Sequence, residues 1–156
     1  MKNVGWIGIL LSSILALSMA GDQKRRSACH GCSAGKLMLQ CDYYVVRKGE
    51  MDKRHFCIEY AKVVDIDGAS AKAAWYWLLG GEPRKAFDSA LKAYHQGQRF
   101  AAGYAAQALA VVDNPEEARK YMEMFEKSVA ERSYFDKELK ILGRLYPAVD
   151  FGVLKR

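Results

Sequence analysis

Cys29-His30-Gly31-Cys32 is the stretch whose residue types could most readily do chemistry. Two close cysteines around a histidine suit a thioredoxin-like redox pair, half of a metal site, a haem anchor or a structural staple. Haem attachment needs a histidine directly after the second cysteine, and that position is Ser33. A redox pair of the thioredoxin kind opens a helix that follows a strand, whereas here the basic run Lys24-Arg25-Arg26 leads into Cys29. Structural zinc usually takes a second close pair; Cys41 and Cys57 are far apart, so His30 or His55 would have to complete the ligand set. Structural disulfides are the favoured use, and four cysteines allow three connectivities. Cys41 and Cys57 flank one turn at similar heights on two antiparallel helices, which makes them the preferred bridge. A competing pattern ties Cys29 or Cys32 to either later cysteine.

Elsewhere the sequence holds little that reads as catalytic. His30, His55 and His95 have no acid and nucleophile at a spacing that would build a triad. Glu116-Glu117 and the Asp65, Asp67 pair are explained as cap and loop residues. Gly80-Gly81 lacks the lysine and hydroxyl residue that complete a phosphate-binding loop. No enzymatic activity, cofactor or resident metal is therefore expected.

The elements that position these residues begin after an unusual N-terminus. Lys2 is followed by an apolar run from Val4 to Leu17 and by Ser18-Met19-Ala20, the form of a secretory signal peptide cleaved after Ala20. The run falls short of the roughly 20 residues that span a bilayer. The first cysteine stands well behind the cleavage point, which does not suit a lipid anchor. An exported, periplasmic or secreted protein is the expectation, without stable membrane insertion once the signal is removed. Export also permits disulfides. The formal charge of +6 is spread along the chain and reads as a solubilising surface. No interleaving of aromatic and basic residues suggests a nucleic acid partner.

A ruler of 32 residues organises the rest: Pro83, Pro115 and Pro147 are the only prolines and are spaced by 32. The segments from Gly49, Gly81 and Asp113 each open with a turn and run into a helical pattern. Leu37, Cys41, Tyr44 and Val45 form an apolar stripe of helical period, as do Ala71, Ala74, Trp75 and Leu78, and Ala101, Tyr104, Ala105 and Ala108. Similar stripes follow each turn, and a final helix carries Phe135, Leu139 and Leu142 on one face. The pattern predicts an all-α fold: three helical hairpins and a closing helix that covers the last pair.

Gly81-Glu82 with Ala86 and Ala93, preceded by Trp77, resembles the tetratricopeptide (TPR) helical hairpin, as does Asp113-Asn114 with Ala118. Gly49-Glu50 with Ala61 is a third, weaker match. The usual period of about 34 residues is shortened here, and in the first hairpin Asp42 and Arg54 stand where small residues are expected. The resemblance implies a right-handed hairpin solenoid over residues 35–156, after a signal peptide (1–20) and a cysteine-containing segment (21–34). It further implies a binding module, an adaptor, assembly factor or chaperone, that holds a peptide or protein partner on the face of its first helices. By position the ladder on that face is Tyr43, Trp75 and Gln107, flanked by Lys36, Arg47 and Phe100. Trp75 also belongs to a core stripe, so core and groove both suit it. Tyr43 and Gln107 are expected to face the groove or solvent. The alternative from the cysteines is a thiol or metal handler using Cys29, His30 and Cys32.

Overall fold

A side-chain cap or a leading proline sets where four of the described helices begin. The computed structural model describes residues 33–65, 70–129 and 132–155, so the expected signal peptide and Cys29, His30 and Cys32 lie outside the described residues. Among the described residues there are seven α-helices and no strand. They are α1 (Ala34–Cys41), α2 (His55–Val64), α3 (Ala71–Leu79), α4 (Pro83–His95), α5 (Ala101–Val111), α6 (Pro115–Ser128) and α7 (Ser133–Leu145). Ser70 caps α3 by accepting from the Ala73 amide at 3.1 Å, and Asn114 caps α6 by accepting from the Glu117 amide at 3.3 Å. Each bond satisfies an amide that has no partner inside its helix. Pro83 and Pro115 occupy first helical positions, where a missing N–H costs nothing.

The helix ends carry the 32-residue ruler into backbone geometry. Gly49, Gly81 and Asp113 have φ of 72°, 83° and 58°. After α3 the chain closes with the Gly81 amide on the Leu78 carbonyl and the Glu82 amide on the Trp77 carbonyl. After α5 the same pair recurs, Asp113 to Ala110 and Asn114 to Leu109. Before the first turn each bond spans one residue more: Gly49 to Val45 and Glu50 to Tyr44. A π-helical turn, Asp42–Arg47, continues α1 and absorbs that extra residue. Within it the Val46 carbonyl accepts from Arg144 Nη2 at 3.0 Å.

This insertion changes the register upstream of the turn. Cys41, not Asp42, corresponds to Ala74 and Ala106, and all three are fully buried. The small-residue place in the first hairpin is therefore filled, and it is filled by a cysteine. Cys41 is disulfide-bonded to Cys57 of α2, with the two Cα atoms 4.8 Å apart.

Each of the first five helices packs on the next, and α3 also packs on α5. Both α3 and α5 are apolar nearly all round and are buried along almost their whole length, as interior helices must be. Alanines at the crossings, Ala74, Ala90 and Ala105 among them, let the axes approach. Gly103 serves the same end, since a Cβ there would stand 2.9 Å from the Phe125 ring and 3.1 Å from Phe135.

The last helix departs from the sequence expectation. Its start does cover the final pair, with Phe135 4.8 Å from Phe125 between ring centroids. It then runs back across α5 and α3 to the first hairpin. Glu138 meets α5, the Tyr146 hydroxyl donates to the Leu78 carbonyl at 2.5 Å, and the Leu145 carbonyl accepts from Arg54 Nη2 at 3.4 Å. The cause is its buried stripe of Phe135, Leu139, Leu142 and Leu145, which needs more apolar surface than one helix pair offers. A 3-10 turn, Phe151–Leu154, packs on α5 and α6 in its place. Arg54, the second departure in the first hairpin, lies with its guanidinium 4.8 Å from the centroid of the Tyr146 ring.

Candidate binding cleft

The path of α7 leaves a cleft of about 680 Å³ between itself and the face made by the π-helical turn, α3 and α5. The turn contributes Asp42, Val46 and Arg47; α3 and its cap contribute Ser70, Lys72, Trp75 and Tyr76. Gln98, Phe100 and Tyr104 come from the start of α5 and the loop before it, and Tyr134, Lys137, Glu138 and Ile141 from α7. Aromatic rings make the floor: Trp75 and Tyr104 are 6.2 Å apart between centroids. Phe100 and Tyr134 stand at the mouth, 50% and 67% exposed.

Two carboxylates line the cleft, and each is held by a tyrosine. The Tyr76 hydroxyl donates to Asp42 Oδ1 at 3.3 Å, and the Tyr104 hydroxyl donates to Glu138 Oε1 at 2.9 Å. Behind Glu138, Gln107 Nε2 donates to Oε2 at 3.4 Å. Burial pushes the Glu138 carboxyl up to about 7, against the opposing pull of the Tyr104 and Gln107 hydrogen bonds. Burial raises Asp42 as well, opposed by the Tyr76 bond and by the charges of Arg47 and Lys72. Tyr104 and Tyr76 are pushed far above the ordinary phenol range by burial, reinforced by the neighbouring carboxylates.

The chain matches no known family model, no curated protein and no solved structure. What the cleft can do must be argued from its own residues.

Of the residues singled out in the sequence, the structure brings Arg47, Trp75 and Phe100 to this cleft. Trp75 is both core and lining, packed below the surface with one side on the cleft. Gln107 differs from its expected exposure: it is fully buried, because the α7 carboxylate of Glu138 lies over it. Tyr43 is half exposed, as expected, but does not line the cleft; it stands edge-on to Tyr44 with Lys48 above its ring. The π-helical insertion explains this, since counting upstream with the extra residue puts Asp42 rather than Tyr43 in the rung of Trp75 and Gln107. Lys36 is exposed on α1, away from the cleft.

Lys72, Tyr76, Tyr104, Tyr134, Lys137 and Glu138 were not singled out. One of them carried a legible signal: Glu138 sits on the apolar stripe of its helix, three residues after Phe135 and four before Leu142. An acid on a buried stripe is held by partners. Among the described residues no group of three or more metal-ligating side chains is gathered in one place, and Cys41 and Cys57 are bound to each other. No described helix is long and apolar enough to cross a membrane.

Proposed function

We propose that this chain is an exported binding module, a right-handed solenoid of TPR-like helical hairpins that holds an extended segment of a peptide or protein partner in the cleft beside α7. The observation that carries this is the cleft itself: open, floored by aromatic rings, and walled by side chains from four separate parts of the fold. Amphipathic aromatics at a surface depression supply large contact area at low entropic cost, the usual currency of peptide recognition. The recurring turns at Gly49, Gly81 and Asp113, and the packing of α3 on α5, support the repeat reading. The apolar N-terminus and the Cys41–Cys57 bridge support export. Holding a partner segment in such a cleft suits the role of an adaptor, assembly factor or chaperone.

A displayed library of random peptides, selected on the purified protein, tests this. Enriched sequences should lose affinity roughly tenfold on Phe100→Ser or Tyr134→Ser, because aromatic anchors dominate such interfaces. Both side chains are exposed enough that far-ultraviolet circular dichroism should not change. Failure to enrich any sequence, or enriched peptides indifferent to both substitutions, would overturn the proposal.

A further inference from the structure

The charges around the cleft are not balanced. Arg47 on the π-helical turn, Lys72 in the first turn of α3 and Lys137 on α7 all line it. None of the three is within ion-pair distance of a carboxylate among the described residues. Lys72 lies over the Tyr60 ring, 5.3 Å from its centroid, and its charge is offset only at longer range by Asp42. The acids that face these cations are Asp42 and Glu138, and both are turned inward to tyrosine hydroxyls. Glu138 is 3% exposed. A cationic partner would have to break buried hydrogen bonds to reach Glu138, while half-buried Asp42 already lies in the field of Arg47 and Lys72. An anionic partner meets three cations that make no ion-pair contact among the described residues, against one half-buried carboxylate, Asp42.

We propose that the cleft takes an acidic peptide segment, one in which carboxylates flank an aromatic or leucine side chain. The apolar side chain lies on the floor of Trp75 and Tyr104 beneath Phe100 at the mouth, while the carboxylates meet Arg47, Lys72 and Lys137 at the rim. The inference rests on the binding-module reading and narrows its partner. Complementary charge at a rim sets specificity and association rate, and it is screened by salt. The overall charge of +6 acts in the same direction at longer range.

The test uses the full purified protein and short fluorescent peptides that alternate Asp or Glu with Phe or Leu. A twin with Ser for each acid, a twin with Lys for each acid, and a single-stranded oligonucleotide serve as competitors. The acidic probe should bind about tenfold more tightly than the Ser twin, and more weakly as salt rises. Lys72→Glu and Lys137→Glu should each weaken it roughly fivefold, with circular dichroism unchanged because both side chains are exposed. If either reversal disturbs folding, Lys72→Gln and Lys137→Gln with the salt titration give the same reading. Equal binding of the Ser or Lys twin, sensitive to Tyr134→Ser, would overturn the acidic preference while leaving a peptide cleft in place. Tighter binding of the oligonucleotide would overturn it in favour of phosphate recognition. Binding of no peptide at all would remove both the preference and the binding-module proposal.

Discussion

Glu138 occupies a position where the stripe of α7 calls for an apolar side chain. Its carboxyl is 3% exposed and held by Tyr104 and Gln107. With its pKa raised from 4.5 to about 7, the folded state binds this proton more tightly than the unfolded chain does. Unfolding therefore releases a proton between those values, and stability should fall as pH rises from about 4.5 to about 7, then level off. The loss is on the order of 3 kcal/mol if the whole shift is expressed. Chemical denaturation across that window should show the slope, and Glu138→Gln should remove most of it. Asp42, shifted in the same direction, leaves a smaller remainder. The acid on the stripe was visible in the sequence. Its partners were not, because Tyr104 and Gln107 lie 34 and 31 residues away and meet it only through the path of α7.

At the scale of elements, the first hairpin shows how one residue changes a register. The closing bonds before Gly49 span a residue more than those before Gly81 and Asp113, and the π-helical turn takes up the difference. Counting by 32 reads the downstream helices correctly and misplaces everything upstream of that turn, which is why Tyr43 misses the cleft and Asp42 reaches it. Deleting Val46 should close the turn into regular helix while Cys41 stays opposite Cys57. Such a variant should form the same disulfide, checked by peptide mapping. It should lose about 1 kcal/mol in denaturation, the worth of the Arg144 hydrogen bond to the Val46 carbonyl. Helix positions, caps and the Cys41–Cys57 bridge were legible because they depend on local spacing. The wide turn was not, since nothing in "DYYVVR" distinguishes a π-helical turn from an α-helical one.

At the scale of the molecule, α7 joins the two ends of the described domain. Arg54 is one tie, bonded to the Leu145 carbonyl and set against the Tyr146 ring, beside the Arg144 bond to Val46. Arg54→Ala should cost about 2 kcal/mol, combining a partly buried hydrogen bond with a cation–π contact. Hydrogen exchange should then quicken at the end of α7 and in the first hairpin together, while α5 and α6 keep their protection. A purely local role for Arg54 would loosen the first hairpin alone. The same path decides the cleft, because α7 covers Gln107 and supplies Tyr134 and Lys137 to the opposite wall.

By itself the sequence determined an all-α chain with its turns and caps, and favoured one disulfide pair among three connectivities, because each reading follows from short-range periodicity, glycine and proline placement or the separation of two cysteines across a turn. Only the tertiary structure decided where the binding surface lies. An amphipathic helix carries its apolar stripe in its sequence, but which surface buries that stripe depends on what the other six helices leave uncovered. Here that was the face made by the π-helical turn, α3 and α5, and the cleft is what α7 leaves open there.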